Sequence, residues 1–157
     1  MNRFYRNYNN YYNTRYYNEK STNSNYIIDC GPMPFAANIK DLTKQNNAFR
    51  STLWTGEHLQ ITLMSIPARE SIGLEIHPNL DQFIQIEQGI GIIKMGDNQN
   101  NLDFQKKVGE HFACVIPAGR WHDLINTGDI PIKLYSIYTP PQHPKGTIQT
   151  NKEVSKY

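Results

Sequence analysis

Pro117-Ala118-Gly119-Arg120-Trp121-His122-Asp123-Leu124-Ile125-Asn126 is the stretch whose reading decides the fold. A Pro-Ala-Gly turn reverses the chain. Alternation follows at once, with His122, Leu124 and Asn126 on one face and Trp121, Asp123 and Ile125 on the other. A tight turn thus delivers a histidine at the start of a short strand. The same syntax repeats on both sides, in runs at residues 51–55, 58–66, 73–77, 83–87, 90–95, 112–116 and 132–138. Gly56-Glu57, Pro78-Asn79, Gln88-Gly89, Gly96-Asp97-Asn98 and Thr127-Gly128-Asp129 punctuate them. In the 58–66 run Leu59, Ile61 and Leu63 alternate with His58, Gln60 and Thr62, the period of a half-buried strand. The one helical candidate runs from Asn38 to Gln45, with Asn38 as cap and Ile39 and Leu42 facing inward. About eight short, evenly spaced strands predict an all-β protein, an antiparallel sandwich or barrel.

Length and composition bound the rest. With 157 residues, 38% of them hydrophobic, the chain predicts one soluble domain with a real core. No apolar run approaches the roughly 18 residues of a membrane span, and the N-terminus lacks a basic-then-apolar leader pattern. Residues 1–26 use Tyr seven times and Asn eight times without a single Leu, Ile or Val, the composition of a disordered tail. That tail carries a net charge of +3 and the remaining 131 residues −1, so a nucleic-acid-binding body has no electrostatic support. Cys30 and Cys114 are too few for a disulfide scaffold and lack a zinc-type spacing, which points to reduced thiols and a cytoplasmic setting. The expected organisation is a tail over 1–26, a barrel over 27–148, and a polar, flexible end over 149–157.

The chemistry gathers in two places. Gly73-Leu74-Glu75-Ile76-His77 puts Glu75 and His77 on one strand face, and Gln82, Ile84 and Ile86 share a face of the next strand. His122 follows the Pro-Ala-Gly turn. Two imidazoles and a carboxylate on adjacent strands are the raw material of a 2-His-1-carboxylate site for iron and related divalent metals, and Gln82 adds a neutral oxygen. Phe83, Ile84, Trp121 and Tyr135 are expected in the core or pocket wall. His143, in Pro140-Pro141-Gln142-His143-Pro144, is open: the Pro-rich exit either folds it over the barrel mouth or leaves it outside. His58 and His111 are expected at the surface.

The spacing of Pro117, Gly119, His122 and Asn126 resembles the second signature of the cupin superfamily. The first cupin signature is similar to the segment ending at Gly89, with His77 as its second histidine, Glu75 in place of the first, and Gln82 in place of the glutamate. The resemblance spans about residues 50–140. It implies a double-stranded β-helix, or jelly-roll, barrel with a pocket inside, like the small single-domain bacterial cupins labelled mannose-6-phosphate-isomerase-like. Carried over, it makes His77 and His122 matched ligands, and Glu75 and Gln82 substituted ones, for a divalent transition metal such as Fe, Mn, Ni or Zn. It also implies a homodimer, for which an edge strand next to exposed apolar residues of 132–138 offers a route. The functions in view are a metal-dependent isomerase or dioxygenase acting on a sugar or organic acid, a non-catalytic ligand-binding module, and a spore-coat or other bacterial assembly protein recruited through the Tyr/Asn-rich tail. No membrane partner is expected.

Overall fold

The computed structural model describes residues 27–152; the Tyr/Asn-rich 1–26 and the terminal 153–157 lie outside the described residues. The one helix among the described residues, α1 (Ile39–Gln45), starts where the Asn38 side chain accepts from the Asp41 N–H, satisfying a donor that the first turn leaves orphaned. The strands are β1 (Arg50–Thr55), β2 (Gln60–Ile66), β3 (Asp81–Gln88), β4 (Ile90–Gly96), β5 (Phe104–Gly109), β6 (Ala113–Ile116), β7 (Trp121–Asn126), β8 (Ile132–Thr139) and β9 (Ile148–Gln149). They form a six-stranded sheet, β6-β3-β8-β2-β1-β9, facing a three-stranded one, β5-β4-β7. Every pairing is antiparallel. The all-β jelly-roll barrel read from the sequence is the architecture found.

Period-two alternation sorts the interior into rows. Gln60, Tyr138, Gln82 and Ile116 are direct neighbours across β2, β8, β3 and β6. One step along lie Thr62, Ser136, Ile84 and Cys114; a further step brings Met64, Leu134 and Ile86. The last row joins Phe49, Ile66, Ile72, Ile93, Leu124 and Ile132 in the apolar core between the sheets. One end of the barrel is therefore greasy, and the other is lined with hydroxyls, amides and imidazoles.

Several expectations need correction. β2 is buried on both faces, not one. Met64 and Ile66 face the barrel, while Leu63 joins Ile27, Leu42 and Leu53 in a second cluster under α1. Residues 73–77 do not form a continuous strand. Residues 71–75 touch β7 through isolated bridges, Ser71 to Ile125 and Glu75 to His122, with Gly73 at a φ of 95° kinking the path. β5 escaped notice because Phe104, Gln105, Lys106 and Lys107 are all exposed and give no alternation; lysines on such an edge discourage pairing with another chain. The apolar residues of 132–138, expected to be exposed beside an edge strand, are not: β8 lies between β3 and β2 in the middle of the large sheet, and Ile132, Leu134 and Tyr138 are fully buried. The barrel also runs past residue 148, since Gln149 belongs to β9.

Asn126, the last residue of the opening stretch, shows why an amide stands there. Its Nδ2 donates to the carbonyls of Ile66, Pro67 and Ile130, and its Oδ1 accepts from the Gly128 N–H. Asn126→Ala would strand these buried groups, at about 1–3 kcal/mol for each one left unsatisfied. A lowered urea midpoint with far-UV circular dichroism unchanged is the expected outcome.

Candidate metal centre

The polar end of the barrel is assembled from both sheets. Glu75 and His122 exchange two backbone hydrogen bonds, each 2.9 Å, which places their side chains side by side on the inner face. His77 follows two residues after Glu75, and its carbonyl accepts from Gly119 N–H at 2.9 Å, so the second turn is tied to the first motif. Asp81 strengthens that tie by accepting from the Ala118 N–H. Glu75, His77 and His122 each offer a donor atom, all within 4.8 Å of one another. Glu75 Oε2 lies 3.7 Å from His77 Nε2 and 4.0 Å from His122 Nε2.

The protonation chemistry is set by the neighbours. His122 is fully buried, and its Nδ1 sits 3.0 Å from the Arg120 carbonyl. A carbonyl only accepts, so Nδ1 carries the proton and Nε2 presents its lone pair to the cavity. Burial pushes the His122 imidazole below its usual range, over the opposite pull of the Arg120 carbonyl and Glu75. Burial pushes the Glu75 carboxyl the other way, but the facing His77 ring, the Arg50 guanidinium and His122 outweigh it and hold the carboxyl below its ordinary value. Neutral pH therefore finds His122 neutral and Glu75 ionised, the forms in which both can bind a metal.

Gln82 is oriented with similar economy. The Ser136 hydroxyl donates to the Phe83 carbonyl, so it can only accept from Gln82 Nε2, 2.9 Å away. Nε2 also reaches the Tyr138 hydroxyl at 3.2 Å. That leaves Gln82 Oε1 free, and it is buried without a partner, as are His77 Nε2 and His122 Nε2. Buried lone pairs left unmatched cost stability unless something binds them. A divalent cation accepts what three such atoms offer, so the donor set fits a metal.

Of the residues singled out in the sequence, Glu75, His77, Gln82, Ile84 and His122 face the interior. Phe83, Trp121 and Tyr135 do not line it. Each alternates with an inward residue (Gln82, His122 and Ser136), so each points to the outer face. Phe83 and Tyr135 meet there with ring centroids 6.4 Å apart, and Tyr135 packs on the outer cluster. His58 and His111 are exposed.

Three participants were not read from the sequence: Arg50, Gln60 and Ser136. Arg50 donates from Nη2 to Glu75 Oε1 at 3.2 Å and from Nη1 to Gln149 at 3.0 Å. By holding one carboxylate oxygen it turns the other toward the imidazoles. Gln60 Nε2 donates to the His143 carbonyl, while its Oε1 accepts from the Gln142 and His143 N–H groups. This clamp folds the Pro-rich exit over the mouth and resolves the position of His143. The His143 ring packs edge-on to Tyr138 at 5.2 Å, and Tyr138 meets His77 in the same way at 5.7 Å. No local signal marks Arg50 or Gln60, since a charged or polar residue near a strand end ordinarily faces water.

A separate apolar groove of about 780 Å³, lined by Phe104, Phe112, Val115 and others between β5 and β6, contains none of these donors.

A cupin domain model matches residues 62–138. The YrkC protein of Bacillus subtilis (strain 168) is 60% identical over 126 residues, covering 80% of this chain and 68% of that protein. The chain belongs to the cupin family. A mimivirus protein from Acanthamoeba polyphaga mimivirus is 38% identical over 122 residues, covering 77% of this cupin and 74% of its relative. The crystal structure of a Bacillus halodurans protein, 59% identical, superposes with a TM-score of 0.80 over 80% of this chain and 96% of that one. Among the described residues of this cupin, no helix is long and apolar enough to cross a membrane.

The buried imidazoles give stability a direction with pH. Burial, with the Arg50 charge beside it, lowers His143 from 6.5 to about 4. The unfolded chain therefore binds protons below 6.5 that folded His143 and His122 resist, and stability falls as pH drops from 6.5 toward about 4. Glu75, held below its ordinary 4.5, adds a further loss as pH falls through its folded value. Urea midpoints at neutral and acidic pH should decline accordingly, and His143→Gln should flatten the upper part of that decline.

Proposed function

We propose that this cupin holds a divalent transition metal on His77, His122 and Glu75, with Gln82 as a neutral fourth donor, and presents it to a small molecule in the barrel. The observation that carries the reading is the set of buried, unpartnered donor atoms, His77 Nε2, His122 Nε2 and Gln82 Oε1, beside the ionised Glu75. Two nitrogens and two oxygens form a harder donor set than thiolate sites and suit iron, manganese, nickel or zinc. The carboxylate that replaces a family imidazole and the amide that replaces a family carboxylate leave the site with a single formal negative charge.

A metal bound here would polarise a ligand oxygen or, if redox-active, support oxygen chemistry. Metal-dependent isomerase and dioxygenase reactions are the classes this donor set serves. The chain's own residues do the positioning: Arg120 fixes the His122 tautomer, Ser136 and Tyr138 aim Gln82, and Arg50 aims Glu75. Gln60 and the Pro-rich exit narrow the mouth and limit water.

Elemental analysis of the untagged protein purified without added metal tests the reading. Near-stoichiometric metal in the wild type, absent from His77→Ala/His122→Ala, is the expected result. A folded wild type that neither carries metal nor takes it up on titration refutes it. Ser136→Ala should weaken metal retention less, by roughly tenfold or more, as loss of an outer-shell partner does; competition with a chelator measures this.

A further inference from the structure

We infer that the small molecule taken by this barrel is an organic acid whose carboxylate is bound by Arg50, with His143 as its companion. The inference rests on the metal reading above and names the ligand class for that site. Charge is the first argument. Arg50 and Glu75 pair with each other and cancel, and the imidazoles and Gln82 are neutral as donors. The two positive charges of a bound divalent ion are then unbalanced in a water-poor interior. Asp123 does not offset them. It alternates with His122 onto the other face of β7, where it accepts from the Gly73 N–H. A buried charge without a counter-charge is expensive. A neutral sugar would leave the imbalance in place, whereas a dianionic acid removes it.

Geometry is the second argument. Arg50 is buried, and its Nε has no acceptor even though Nη1 and Nη2 are engaged. Guanidinium N–H groups are matched to carboxylate oxygens, and such pairs are strongest out of water. His143 Nε2 is likewise buried and unpartnered. Its ring is held near the same wall by the Gln60 clamp and the Tyr138 edge. The two groups come from opposite ends of the barrel sequence, at the start of β1 and beyond β8, and neither coordinates the triad. Arg50 Nε and His143 Nε2 are thus two buried polar atoms without partners beside a cationic centre, although the rest of the Arg50 guanidinium is held by Glu75 and Gln149. An acid with two oxygen-bearing ends satisfies the metal with one and these two residues with the other.

Isothermal titration of the full-length, zinc-loaded protein with oxalate, malonate and succinate, each against mannose, tests the inference. Zinc content is measured on the same samples. At least one diacid should bind saturably to the zinc-loaded protein and mannose should not. Arg50→Gln should weaken the diacid by about tenfold or more while retaining zinc, as removal of one partner of a buried charge pair does. His143→Ala should weaken it less. A wild type that holds zinc yet binds none of the diacids, or binds mannose as well as it binds them, overturns the inference and leaves the metal site standing. So does an Arg50→Gln protein that binds the diacid as tightly as the wild type. A wild type that takes no zinc overturns both readings together. If Arg50→Gln fails to fold, the wild-type comparison of diacid with mannose still decides.

Discussion

Glu75 and His122 exchange backbone hydrogen bonds, and the site depends on that exchange. Residues 70–77 follow an interrupted path, too irregular to count as a strand, and are placed by individual hydrogen bonds to β7 instead of a continuous ladder. Asn126 N–H to the Glu70 carbonyl and Ile72 N–H to the Leu124 carbonyl begin to lay the segment along β7, and the reciprocal bond pair fixes it at the site. It puts the carboxylate of Glu75 beside the imidazole of His122, and two residues later His77 returns to the same face. The His77 carbonyl then holds Gly119, whose φ of 78° suits a residue without a side-chain clash. The two motifs are therefore one unit, knotted by backbone hydrogen bonds before any side chain contributes.

Around that unit the protein tolerates polar atoms that a purely structural core would avoid. The greasy end of the barrel supplies burial, at roughly 25 cal/mol for each Å² of apolar surface removed from water. The other end spends part of that gain on unpartnered nitrogen and oxygen lone pairs. Such exceptions to hydrogen-bond satisfaction mark places where a fold serves a ligand more than its own stability. Arg50 has a double part here. With His77 it helps keep Glu75 ionised within a desolvated wall, and its Nε is left there without a partner.

Most strands were legible because each shows a run of β-branched or aromatic residues closed by a turn. The failures have specific causes. β5 is an exposed edge whose Gln105-Lys106-Lys107 sequence has no buried face along most of its length. β2 looked half-buried because Gln60 and Thr62 are polar, yet both are fully buried and face the site. Phe83, Trp121 and Tyr135 do not line the pocket, although Tyr135 packs on the second core cluster, because an aromatic side chain is at home on either face of a sheet. Only the phase of its neighbours shows that these three point outward.

Alternation and turn residues determined by themselves an antiparallel sandwich or barrel, with Glu75 and His77 on one strand face and Gln82 and Ile84 on another; the likeness of the motif spacing to the cupin signatures implied the barrel with its inward ligands. Those features are local, and a period of two carries them in any strand. Arg50 and His143 belong to a different kind of information. They stand 93 residues apart in the chain, and their partners, Glu75 and Gln60, come from other strands or segments. Contacts of that range arise only when two sheets close on each other, because burial and charge pairing are properties of three-dimensional proximity. The donors were written in the sequence, while the electrostatic setting in which they work was decided by closure of the barrel.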